Sequence, residues 1–242
     1  MIIPYSTLAT GLKFITRSRR EIDVELVSPG TIDRVRTVAG EAARLTDGWV
    51  FVDGAFGRRS PASGRVADRV VLAVGAAVGD SPGDVVELAR AYTEVYECGP
   101  PPGRVVAAAR AYAGRTAVLA SDTGELASSS SGLPSPAAGS RWYAFVPGAV
   151  TDRTLDSLRG TGQSVGLVVP EVSHLLVSGA AWSRWRQDGG DLYVMDPVPL
   201  AAVTVNPVCP GGWAFEVRTF SAAIAASTRA PVFDLRAGIC FP

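Results

Sequence analysis

Short runs of branched and aromatic apolar residues recur along this chain, and most are followed by a stretch with helical spacing. Strand-like runs lie at 70–74, 117–120, 142–146, 165–169, 192–195, 200–205 and 232–235. Between them, Val85, Leu88, Ala89, Tyr92 and Tyr96 fall on one helical stripe, as do Val35, Val38, Ala39 and Ala42. Further helices are expected at 105–112, from Thr151 through Leu155 and Leu158, from Pro170 through Leu175, Leu176, Ala180 and Trp182, and at 215–226. Ser81-Pro82-Gly83-Asp84 reads as a helix start, with a serine cap, proline at the first position and an acid in the first turn. Alternation of this kind predicts an α/β fold with a largely parallel sheet and helices on both faces.

The N-terminal third carries the sharpest local pattern. Trp49, Val50, Phe51 and Val52 form an apolar run that ends in Asp53 and reads as a buried strand. With a strand at 24–28 and a helix capped by Thr31, it completes a βαβ unit whose strands are parallel. Ligands of open α/β sheets sit beyond the carboxyl ends of strands, where this reading puts Asp53. Gly54 and Gly57 allow the next loop a close approach to a ligand, and Arg58, Arg59 and Ser60 offer donors to phosphate or carboxylate. An acid in this position can also hold Mg²⁺ through water. The same residues also read as a strand, a turn and a solvated arginine pair, and on chemistry alone that plainer reading is preferred.

A second candidate lies at 202–212, where a buried strand leads into a turn-rich loop bearing Thr204, Asn206 and Cys209. Asn206 precedes Pro207 and is held extended, which aims its amide away from the strand end. Here too a strand with a rigid loop is the plainer reading. Three successive prolines, Pro100 to Pro102, cannot continue a helix or a central strand, and they set a boundary between regions 1–98 and 104–242.

Composition removes several classes. The 242 residues carry no formal net charge, so no basic face toward nucleic acid is implied. Lys13 is the only lysine and His174 the only histidine, so Schiff-base chemistry and histidine-rich metal sites have almost nothing to draw on. His174, between Ser173 and Leu175, reads as a structural residue. Cys98, Cys209 and Cys240 are far apart and form no C-x-x-C pair, which fits a reduced, cytoplasmic setting. No apolar run nears the roughly 18 residues of a membrane helix, and the N-terminal segment does not read as a signal peptide. No G-x-x-x-x-G-K-[ST] phosphate loop and no G-x-S-x-G elbow occur.

Val52-Asp53-Gly54-Ala55-Phe56-Gly57-Arg58-Arg59-Ser60, then Asp68 and Leu72-Ala73-Val74-Gly75-Ala76, resembles the reactivase subunit associated with adenosylcobalamin-dependent lysine 5,6-aminomutase. Val146-Pro147-Gly148-Ala149 and Ala202-Val203-Thr204-Val205-Asn206-Pro207-Val208, with Pro210, Gly212 and Phe215, are similar to the same family and occur in the same order. The resemblance implies an accessory subunit in lysine degradation, with no turnover of its own. It would help a cobalamin-dependent aminomutase exchange damaged cofactor, beside a MutS-like ATPase subunit. Cobalamin would belong to the partner and Mg-ATP to the complex, with Asp53 linked to Mg²⁺ and Arg58 and Ser60 near phosphate. Region 1–98 would be the remnant of a P-loop NTPase-like domain and 104–242 a second α/β domain. The chain departs from the family in starting downstream of the phosphate-loop half and in carrying Gly57 where aspartate is frequent. Two rivals stay open. One is a nucleotide-dependent P-loop-type enzyme resembling dethiobiotin synthetase, with a misassigned start. The other is a small-anion-binding α/β protein using Arg58 and Arg59.

Overall fold

A computed structural model describes residues 2–8, 11–16, 20, 31–46, 48–53, 62–112, 118–121, 126–128, 141–160 and 165–242. The chain divides into two compact units, Met1–Ala67 and Asp68–Pro242. The boundary drawn at the proline run therefore lies inside the second unit.

In the first unit, strands β1 (Ile2–Leu8) and β2 (Gly11–Thr16) form an antiparallel hairpin. Helix α1 (Ile32–Arg44) begins after Thr31 as expected, although the Thr31 side chain makes no capping bond. Asp33 accepts from Arg65 at 2.6 Å. The expected strand at Trp49–Val52 is not formed. Trp49 and Phe51 are 83% and 86% exposed, and the segment pairs with no strand among the described residues. An apolar run becomes a strand only where a ladder receives it, and this run meets none among the described residues. Its expected βαβ partner, 24–28, lies outside the described residues.

The second unit holds two larger sheets. Strand β3 (Val70–Gly75) leads through a 3-10 turn at Ala76–Val78 into α2 (Pro82–Tyr96). The Ser81 hydroxyl accepts from Asp84 N, which is the cap that the sequence signals. Residues 98–102 then carry the chain to α3 (Gly103–Ala111), β4 (Val118–Ser121), β5 (Leu126–Ser128) and β6 (Trp142–Phe145). Next come β7 (Val150–Thr151), α4 (Asp152–Arg159) and β8 (Val165–Val169). Thr151 forms a capping box with Thr154 at the start of α4. A 3-10 turn (Val172–His174), β9 (Leu175–Leu176), α5 (Gly179–Gln187) and β10 (Asp191–Val194) follow. Residues 195–199 return the chain to β11 (Leu200–Asn206), α6 (Val217–Ala225), β12 (Val232–Asp234) and β13 (Ile239–Phe241).

The five-stranded sheet runs β10-β8-β6-β4-β5, parallel across β10, β8 and β6 and antiparallel beyond. The four-stranded sheet runs β13-β12-β11-β3, parallel except for β13. A small parallel pair joins β7 to β9. The fold is thus α/β with mixed, mostly parallel sheets and six α-helices among the described residues.

Among the described residues of the second unit, helices pack on both faces of the five-stranded sheet only. Val105 and Ala109 of α3 pack with Tyr143, Phe145 and Val168 on one face, while Leu158 of α4 packs with Trp142, Ala144 and Val165 on the other. Burial on both faces explains why β6 and β8 read as unbroken apolar runs. In the four-stranded sheet, α2 and α6 share one face. Val85 and Ala89, with Phe220 and Ile224, cover Val74, Val203, Val205 and Val232. On the opposite face, Val71 is about half exposed and Ala73 and Cys240 are exposed.

The helix expected from Pro170 begins nine residues later, at Gly179. Ser178 wins the start because its hydroxyl accepts from Ala181 N, while Leu175 and Leu176 are drawn into the pair with β7. Trp182 and Trp185 are both buried. Trp182 Nε1 donates to Glu94 of α2 at 2.9 Å.

Just after α2, the Cys98 thiol donates to the Glu94 carbonyl at 3.1 Å. Burial pushes this thiol from its ordinary 9.0 up to about 11, against the opposing field of Arg186. A raised pKa in the folded state favours the protonated form, so the contribution is whole below pH 9 and is lost as pH rises toward 11. Native protein treated with iodoacetamide at about pH 8 is expected to alkylate at exposed Cys240 and to spare Cys98. Peptide mass spectrometry checks this, and fast labelling of Cys98 would refute it.

Candidate functional site

The carboxyl ends of β3, β11 and β12 lie side by side, because these three strands are parallel neighbours. Leu72 pairs with Val203, Ala73 with Thr204, Val74 with Val205, and Gly75 with Asn206. Across β11, Thr204 also pairs with Phe233, one residue before Asp234. The edge is therefore made by Gly75, Asn206 and Asp234, and three loops leave from it.

Asn206 is exposed, and its Oδ1 accepts from Val208 N at 3.1 Å. The amide thus turns onto its own loop. Thr204 is half-buried within the strand, on the face opposite Val203 and Val205. The loop after Asn206 closes on itself. Val208 bridges Ala214, Cys209 N donates to Trp213 O at 2.8 Å, and Phe215 N donates to Pro207 O at 3.0 Å. Gly212 sits at φ 88°, a left-handed value that a side chain would strain. Trp213, Phe215 and Phe220 form a ring series with centroids 5.0 and 4.9 Å apart, running from the exposed loop into the core.

Glu216 caps α6, accepting from Thr219 N at 2.7 Å and Arg218 N at 3.2 Å. The hydrogen bonds from Thr219, with that from Arg218, hold its carboxyl below the usual carboxylate range. Asp234 ends β12 almost fully buried, and its Oδ1 accepts from Arg236 N at 3.0 Å and Ala237 N at 2.9 Å. These bonds shape the hairpin to β13, where Gly238 takes φ 65°. Oδ2 of the same carboxylate is buried without a hydrogen-bond partner. Around this edge Val78, Val208, Trp213 and Leu235 are exposed apolar side chains.

No family model, characterised protein or solved structure matches the chain.

The structure brings Asn206 to the edge and leaves Thr204 in the strand behind it. Asp53 belongs to the first unit, exposed at the end of a segment that is not a strand, so its expected place at a strand's carboxyl end is not found. Gly54, Arg58, Arg59 and Ser60 lie outside the described residues. Gly75 and Asp234 were missed as site residues, although Val232-Phe233-Asp234 shows the same apolar run closed by an acid that singled out Asp53. Among the described residues, no group of three or more His, Cys, Asp or Glu is placed to hold a metal ion. His174 Nδ1 lies 3.3 Å from the Glu171 carbonyl, while Ser173 Oγ donates to the Glu171 carboxylate at 3.3 Å. That imidazole meets a backbone carbonyl, and the nearby serine serves another group. No helix is long and apolar enough to cross a membrane among the described residues.

Proposed function

We propose that this chain is an accessory, reactivase-like subunit that assists a cobalamin-dependent aminomutase without turnover of its own. The observation that carries the reading is the pairing of two stretches that bear the family resemblance. Residues 72–76 and 202–208 are far apart in sequence, yet they lie in register as neighbouring parallel strands and end at one edge. Motifs that share an edge form one surface, and here that surface is lined by Asn206, a tight loop and exposed apolar side chains.

In this reading the chain is cytoplasmic, and region 1–98 descends from a P-loop NTPase-like domain. Asp53, with Gly54, Arg58, Arg59 and Ser60, would face Mg-ATP only within the complex, beside a MutS-like ATPase subunit. Cobalamin stays with the aminomutase. The test is an affinity pull-down from native cells, with every co-purifying protein identified. Recovery of an aminomutase or a MutS-like ATPase is expected. Recovery of neither, from cells shown to express both, removes the reading.

A further inference from the structure

The second unit carries one sheet inside the path of another. Strands β3, β11 and β12, with α2 and α6 on one face, make a parallel βαβαβ unit, and the five-stranded layer is inserted between α2 and β11. The chain leaves at 98–102 and returns at 195–199. Exit and return lie side by side, because Val194 N donates to Gly99 O at 3.0 Å. Prolines at 100–102, 197 and 199 have fixed φ, which confines bending to the residues between them. Each sheet keeps an apolar cluster of its own, around Phe220 and Ile224 in one and around Phe145 and Val168 in the other. The two layers meet where α5 lies on α2. Glu87, Ala91 and Glu94 share one stripe of α2. Ser183 Oγ donates to Glu87 Oε1 at 2.8 Å, and Glu94 Oε2 accepts from Trp182 Nε1 at 2.9 Å with Arg186 Nε 3.6 Å away. Arg186 is tied to its own layer by Gly190 O and Asp191. Both ends of the Arg186–Glu94 pair reach solvent, so it holds only weakly. Trp182 itself is 2% exposed, and its indole N–H meets water when the seam parts.

We propose that the inserted layer is a hinged body. It swings on the paired crossings, and the contacts of Glu87 and Glu94 with α5 are the latch that holds it shut. Bodies of one chain that meet through a few polar contacts move relative to one another by default. The open form is the minor one, since parting the seam exposes Trp182. The device is independent of the accessory reading, because exchange in the chain alone reads it whatever a pull-down recovers.

The experiment is hydrogen exchange of the tryptophan indole N–H groups of the full chain, followed by NMR and assigned through Trp182→Phe and Trp185→Phe. Trp185 is the control, because its ring is 3% exposed and lies against Gly190 within the inserted layer. Trp182 is expected to exchange about tenfold faster than Trp185 or more, with a weaker dependence on dilute urea than global unfolding shows. Glu87→Ala removes an exposed side chain that bonds Ser183 and leaves the Trp182–Glu94 bond in place. It is expected to speed exchange at Trp182 several-fold and to leave Trp185 unchanged. The proposal is overturned if Trp182 exchanges only through global unfolding, if Glu87→Ala leaves its rate unchanged, or if both indoles speed up together.

Discussion

Replacing Phe220 with alanine is expected to cost about 3–5 kcal/mol of unfolding free energy, measured by denaturant titration. Phe220 is 2% exposed and lies at the centre of the four-stranded sheet's core, among Val203, Val205, Ile224 and Val232. Its ring also carries Phe215, 4.9 Å away, which links the core to the loop after β11. Truncation leaves a cavity walled by residues of α2, α6 and three strands, and such walls collapse only in part. Domains are stable by only about 5–15 kcal/mol, so the loss is a large share of the total. The variant is also expected to loosen the 207–216 loop, read as faster amide exchange at Cys209 N and Phe215 N, the donors that close it. A cost below about 1 kcal/mol would mean that this cluster is not the core of the sheet.

The second large effect concerns Gly190, just before β10. A Cβ placed there would overlap the indole of Trp185. That ring is 3% exposed. The backbone cannot yield easily either, since Gly190 N donates to Trp185 O at 2.9 Å and Gly190 O accepts from Arg186 Nη1 at 2.7 Å. Gly190→Ala is therefore expected to cost about 3 kcal/mol or more, at the upper end of overpacking effects. A double-mutant cycle with Trp185→Leu isolates the cause. The alanine is expected to cost far less in the Trp185→Leu background, and additive costs would place the strain elsewhere.

Much of the second unit was legible in its sequence. Strands β3, β6, β8 and β11 announce themselves as branched apolar runs, and Ser81-Pro82 and Thr151 announce the starts of α2 and α4. Trp49–Val52 has the same composition and is no strand, because strand formation depends on a neighbouring edge that local sequence does not specify. Pro170-Glu171 has the form of a helix start but opens only a 3-10 turn, since the pairing of Leu175 and Leu176 with Val150 and Thr151 interrupts it. Strand β13 was missed because it rests on a hairpin set by Asp234 and Gly238. Asn206, which the proline and the loop after it singled out, ends β11 at the edge of the candidate site. Asp234 carries the signal that drew attention to Asp53. That Asp234 stands at the edge with Asn206 depends on strand order, a long-range property.

The excursion of the chain from α2 into the five-stranded sheet and back sets an order for biosynthesis. As the polypeptide leaves the ribosome, β3 emerges early, but its ladder partner β11 follows only after the whole five-stranded layer. The inserted layer, with its helices local in sequence, can condense on the nascent chain while Val70, Leu72 and Val74 wait without their sheet. Until β11 arrives, that early strand is an open template for wrong partners, and a chaperone has reason to hold it. Ribosomes stalled after β10 should carry a folded inserted layer and a protease-sensitive β3.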